Sequence, residues 1–120
     1  MTVIREMSMA PRIIDDPLYQ LLRHEQIEEF NEQRKDLDSL DFSNCDFRGL
    51  DLRDMNADGV DFSGAYFRGA DLRGINFRHT RLQGASMAAA QISGCYFPDD
   101  VSAAEIELSV TRGTRLRTDR

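Results

Sequence analysis

Residues 40–99 divide into fives as LDFSN CDFRG LDLRD MNADG VDFSG AYFRG ADLRG INFRH TRLQG ASMAA AQISG CYFPD, and this stretch governs how the rest of the chain must be read. The middle residue of each five, here called the centre, is apolar in all twelve: Phe42, Phe47, Leu52, Ala57, Phe62, Phe67, Leu72, Phe77, Leu82, Met87, Ile92 and Phe97. Two residues earlier the side chains are small or aliphatic, from Leu40 and Cys45 to Ala90 and Cys95, with Thr80 the one polar exception. The residue just before the centre is polar or amphipathic throughout, and is aspartate at positions 41, 46, 51, 61 and 71. Seven of the chain's eight glycines close a five.

A period of five matches neither a strand, whose faces alternate every second residue, nor a helix at 3.6. Each unit must make the same backbone turn, and only the stacking of one coil on the next can bury the repeated apolar position. The segments Ala65-Tyr-Phe-Arg-Gly69, Ala70-Asp-Leu-Arg-Gly74 and Leu50-Asp-Leu-Arg-Asp54 resemble the A-[DN]-L-x-x unit of the pentapeptide repeat proteins. That resemblance implies a mainly β solenoid, a right-handed quadrilateral β-helix of about three coils over 36–99. Four fives make one square coil, with the centre and the residue two before it pointing inward, and coils stack about 4.8 Å apart. A fold of this kind does not carry a function with it.

The flanks supply what an open-ended stack needs, because bare coil ends expose apolar side chains and unpaired backbone. Residues 1–15 form an arm without assignable periodicity. Residues 16–35 read as a helical cap: Asp16 followed by Pro17 is a helix start. The apolar stripe then changes side between Leu22 and Ile27, which predicts two short helices, 17–23 and 26–34, meeting near His24 and Glu25. Lys35 to Ser39 fits a partial thirteenth five centred on Leu37. Beyond Phe97 the frame stops at Pro98, and residues 100–120 read as a C-terminal capping helix and tail. Ser102-Ala-Ala-Glu105 is a capping box, Gly113 marks the helix end, Ile106 and Val110 supply the apolar stripe, and an exposed tail follows a single anchor at Leu116.

Composition narrows the classes. The chain has 120 residues with net charge −6, 41% hydrophobic and 30% charged residues, enough for one domain. No apolar run reaches the ~18 residues of a membrane span and the first residues do not read as a secretory signal, so the expectation is a cytoplasmic protein. Cys45 and Cys95 are two and a half coils apart, on opposite sides of the square, and are expected as reduced core thiols. No phosphate loop, metal-ligand spacing or nucleophile with its base is present, and His24 and His79 read as solvated surface residues. The expectation is no enzyme activity and no cofactor or metal.

The informative surface is the residue just after each centre. With twenty residues per coil, Arg48 lies beneath Arg68 and Arg53 beneath Arg73, with Arg78 on the next face, edged by Tyr66 and bordered by the row of Asp46, Asp51 and Asp71. Either the arginine and aspartate rows neutralise each other, or Arg48, Arg53, Tyr66, Arg68, Arg73 and Arg78 form a candidate partner-binding surface for an acidic protein. Met87-Ala88-Ala89-Ala90, where small residues replace the usual polar and corner positions, is a second candidate patch. The leading functional expectation is a non-enzymatic interaction or scaffold module, monomeric, with an unidentified protein partner. The family resemblance supplies the alternative, a DNA-mimicking modulator or protector of a type II topoisomerase such as DNA gyrase. Direct nucleic-acid binding is opposed by the negative charge.

Overall fold

The computed structural model describes residues 11–119. Through the repeats the chain returns beside itself every twenty residues. Leu40–Asp41 (β1) pairs in parallel with Val60–Asp61 (β2). Single parallel bridges then join Asp46 to Tyr66 and Tyr66 to Ser86, Asp51 to Asp71 and Asp71 to Gln91, Asp61 to Arg81, and Asn76 to Tyr96. The bonding follows one rule: Phe47 N–H donates to the Tyr66 carbonyl (2.8 Å), and Tyr66 N–H donates to the Cys45 carbonyl (3.0 Å). Extended segments stay one or two residues long because every five must also turn a corner. The turn is closed by a bond from the first residue of the next five to the centre, as from Ala70 N–H to the Phe67 carbonyl (2.9 Å). Its third residue takes positive φ, +70° at Gly69, which is why glycine closes the fives. The aspartate or asparagine before the centre tightens the same corner by accepting the N–H two residues on, Asp61 from Ser63 (2.9 Å) and Asn76 from Arg78 (3.0 Å).

The core follows the five-residue frame. The centres from Phe42 to Met87 are all buried, and Ile92 and Phe97 in the last coil are half-buried. Phe47 and Phe67 stack face to face, centroids 5.2 Å apart and planes 11° from parallel, with Phe62 set edge-on to Phe67. The frame predicts the same stacking for Phe42 on Phe62, and the structure corrects it: those rings are 6.4 Å apart and tilted by 47°. Phe42 lies in the first coil, where Tyr19 and Phe30 of the cap pack against it at 5.9 and 6.3 Å and turn its ring.

The cap consists of helices α1, Pro17–Arg23, and α2, Ile27–Arg34. Asp16 accepts the Tyr19 N–H (3.0 Å), as the sequence predicts, while Gln26 precedes α2 rather than opening it. Tyr19 is the plug. It is fully buried, and its hydroxyl donates to the Asp46 carbonyl (2.7 Å). Leu37 is exposed, so the partial thirteenth five does not point inward; its N–H is held by the Arg34 carbonyl (2.9 Å), which prolongs the helix exit. Cap groups meet the lower edge of the first coil at several points. Arg12 joins as a strand residue, donating to Asn44 (2.8 Å) and accepting from Asp46 (2.9 Å). Glu25 accepts from Asp51 N–H (2.7 Å), and the buried Arg34 guanidinium binds the carbonyls of Asn56 (3.1 Å), Asp58 (2.6 Å) and Leu37 (2.6 Å). Of the expected arm, residues 1–10 lie outside the described residues.

At the other end, α3 spans Ala103–Arg112, with Ser102 accepting the Glu105 N–H (3.2 Å) and Gly113 left-handed at φ +75°. The reciprocal half of the capping box is absent, because the Glu105 carboxylate accepts from Arg117 instead, at 2.9 Å from its N–H and 3.0 and 2.6 Å from its guanidinium. The tail is therefore not free. Arg115 bridges Ser86 antiparallel, Leu116 N–H donates to Ala85 (2.8 Å), Gly84 N–H donates to Leu116 (2.8 Å), and the Leu116 side chain is buried. The tail takes the place of a missing coil because the edge at 84–86 needs partners and Leu116 gains by burial.

The second candidate patch is the seat of α3. Met87 N–H bonds the Ser109 hydroxyl (2.8 Å), Ala89 N–H bonds the Val110 carbonyl (2.9 Å), and Ala88 is buried. Small side chains stand there because a helix must come close. Past Ala89 the covering stops: the carbonyls of Ala90 and Cys95 and the N–H groups of Ile92 and Phe97 have no partner among the described residues. The upper end, expected to be sealed, is sealed on one side only.

Candidate functional site

Asp, centre, Arg within one five places a carboxylate and a guanidinium on the same outer face, two residues apart. Arg48 pairs with Asp46 through two bonds (2.9 and 3.0 Å), Arg53 with Asp51 (2.9 and 2.7 Å) and Arg73 with Asp71 (2.9 and 2.7 Å). Arg53 also reaches Asp71 of the next coil at 3.3 Å. These bidentate hydrogen bonds hold the Asp46 and Asp51 carboxyls below their usual range and bring Asp71 down to about 2. Arg48, Arg53 and Arg73 are thus neutralised where they stand.

Two of the predicted arginines differ. The five of Arg68 carries Tyr66 where an aspartate would stand, and that of Arg78 carries Asn76. Both arginines are exposed and neither makes an ion pair among the described residues. The Arg78 guanidinium lies 4.0 Å over the ring of Tyr96, a half-exposed aromatic that sequence reasoning did not single out. The twenty-residue register that puts residue 76 under 96 could have found it. Tyr66, expected as the aromatic anchor, is occupied by this chain's own tail: Arg115 donates to its hydroxyl (2.7 Å) and lies 4.9 Å over its ring. Arg68 and Arg78 with Tyr96 are what remains of the predicted surface for a partner.

Two concavities flank these faces. One of about 960 Å³ lies between the start of α2 and Asp51, lined by Glu25, Glu28, Glu29, Asp54, Arg53 and Arg73. The other, about 1230 Å³, includes Asp41, Asp61, Arg78, His79 and Arg81. Among the described residues no group of three or more His, Cys, Asp or Glu could hold a metal ion, and no helix is long and apolar enough to cross a membrane. Cys45 and Cys95 are free thiols; burial pushes Cys45 up to about 11, and Cys95 donates to the Leu72 carbonyl (2.9 Å).

No curated protein and no solved structure gives a significant match to this chain. A family model described as pentapeptide repeats matches residues 36–74 and 61–97 with eight copies, together more than half of the sequence. This agrees with the twenty-residue bridges, the buried centres and the left-handed corners. The chain belongs to the pentapeptide repeat family.

Proposed function

We propose that this chain is a non-enzymatic protein-interaction module, a monomeric and cytoplasmic right-handed quadrilateral β-helix of about three coils that offers its outer faces to a protein partner. The coil geometry is supported by parallel bridges at twenty-residue spacing on successive sides of the stack. One observation carries the functional reading: Arg68 and Arg78 project from stiff corners without a carboxylate of their own, beside three arginines that have one. A guanidinium held on a rigid scaffold loses little entropy when it meets a carboxylate of a partner, and Tyr96 adds aromatic contact area. The partner face is therefore acidic at this point.

The topoisomerase reading draws no support from the same faces. A DNA mimic needs uncompensated carboxylates at phosphate spacing, whereas Asp46, Asp51 and Asp71 are each bound by an arginine. The test is affinity capture with quantitative mass spectrometry on the wild type, on Arg68→Glu with Arg78→Glu, and on Glu28→Lys as a control at the far end. A partner retained by the wild type and the control and lost with the double variant is the expected result. Capture unaffected by the double variant would refute the assignment to this face.

A further inference from the structure

The upper edge of the repeats is covered over 84–89, where the tail and α3 supply partners, and is bare over 90–97; the Thr80 carbonyl and the Leu82 N–H, ahead of the covered stretch, also lack a backbone partner among the described residues. On the covered side, residues 115–116 lie antiparallel over 84–86, and the guanidinium of the next residue, Arg117, donates through two nitrogens to Oε2 of Glu105. On the bare side stand the carbonyls of Ala90 and Cys95 and the N–H groups of Ile92 and Phe97. These are the groups that the coil below uses to bind the coil above. Ala70 and Ile75 accept from Gln91 and Tyr96 (2.9 and 3.1 Å), and Leu72 and Phe77 donate to Gln91 and Tyr96 (2.9 and 2.8 Å). An edge already set in bonding register takes a further strand without rearrangement.

The bare side also carries a charge. At 100° per residue Glu107 lies about 200° round α3 from Glu105, on the side away from the tail. It is exposed and makes no ion pair among the described residues. We propose that the strip between α3 and residues 90–97 docks an extended basic segment of a partner protein, which adds as a strand and sets an arginine or lysine on Glu107, as the tail sets Arg117 on Glu105. The net charge of −6 favours a basic occupant. A second copy meeting this edge would bring Glu107 against Glu107, and an acidic segment would meet the same repulsion.

The probe is a labelled hexapeptide of alternating arginine and leucine, titrated into the intact protein, with the glutamate–leucine hexapeptide as its counterpart. Saturable binding of the basic peptide is expected, with amide NMR shifts and slowed exchange concentrated at Ile92, Gly94 and Phe97. Glu107→Lys should weaken it at least fivefold, and Glu28→Lys, the same charge change at the far end, by less than twofold. Absence of binding at millimolar peptide, equal binding of the acidic peptide, equal losses in the two variants, or shifts at 84–86 instead of 90–97 would each overturn the proposal. So would self-association of the protein that protects the same amides. The variants tested here leave Arg68 and Arg78 unchanged, so failure of this proposal leaves the reading of the outer faces standing.

Discussion

Asn31 stands in for a peptide group beneath Asn56: its side-chain oxygen accepts the Asn56 N–H at 2.8 Å while its amide donates to the carbonyl of Asp54 at 2.9 Å. One side chain thereby supplies the acceptor and the donor that a coil below would have supplied. Two ordinary hydrogen bonds near solvent are worth about 0.5–1.5 kcal/mol each, so Asn31→Ala should lower the stability measured by urea unfolding by about 1–2 kcal/mol. A loss below about 0.3 kcal/mol, within surface noise, would deny the amide this part.

Phe67→Ala should cost about 3–5 kcal/mol. The ring is fully buried in the middle coil, stacked on Phe47 and edge-on to Phe62 and Phe77, and a coil tied above and below cannot collapse into the space. Arg68→Ala, one residue on but outward and unpaired, should change stability by less than about 0.5 kcal/mol. Equal losses in denaturant melts would contradict the inward and outward assignment.

The corners allow a graded test. Ala89 holds φ +57° with a side chain, a conformation that costs about 1–2 kcal/mol outside glycine. Ala89→Gly should therefore raise stability by up to about 1 kcal/mol after the entropy of the freer unfolded chain is deducted. Gly69→Ala, at φ +70° with open space around it, should lose about 1–2 kcal/mol. Gly59→Ala should lose more, because its new methyl would collide with the Asp38 carbonyl. Thermal melts of the three variants should fall in that order.

Acid should weaken the fold in a defined window. Asp71 has its folded pKa brought from 3.8 to about 2 by Arg73, and Asp46, Asp51 and Glu105 are lowered in the same direction by Arg48, Arg53 and Arg117. A carboxyl depressed in the folded state contributes stability that is present above its unfolded pKa and lost as pH falls through the folded one. The unfolding midpoint should thus decline between about pH 4 and pH 2, and Asp71→Asn should flatten part of that decline. A midpoint unchanged across this range would mean that the Arg–Asp pairs are not kept in solution.

Much of this was legible because the repeat converts position into orientation. Phe47 over Phe67, the helix from Ala103 to Arg112 and its stop at Gly113 follow from spacing and capping chemistry alone. What escaped depended on contacts made once. The exposure of Leu37, the burial of Tyr19 and the turned ring of Phe42 come from how the cap meets the first coil, and no period announces that. Tyr66 read as a free anchor because Arg115 lies forty-nine residues away in sequence. The neutral and unpaired arginines were separable in principle: Arg48, Arg53 and Arg73 each have an aspartate before the centre of their own five, and Arg68 and Arg78 have none.

The buried guanidinium of Arg34 gives the molecule a direction in which to come apart. Among the described residues no bridge joins residue 56 to residue 76, where every other side of the first coil is bridged to the second. Two carbonyl bonds from Arg34, to Asn56 and Asp58, clamp that unbridged corner to the end of α2, and a third, to Leu37, fixes the chain leaving the helix. Stacks held by nearest-neighbour contacts unzip from whichever end is looser. Here the lower end is knotted, while the last coil, with Ile92, Cys95 and Phe97 partly exposed and much of its edge bare, is held from above only by α3 and the tail. Fraying should therefore begin at residues 90–97 and run backward along the chain, and amide exchange there should be faster than at the equivalent positions of the first coil.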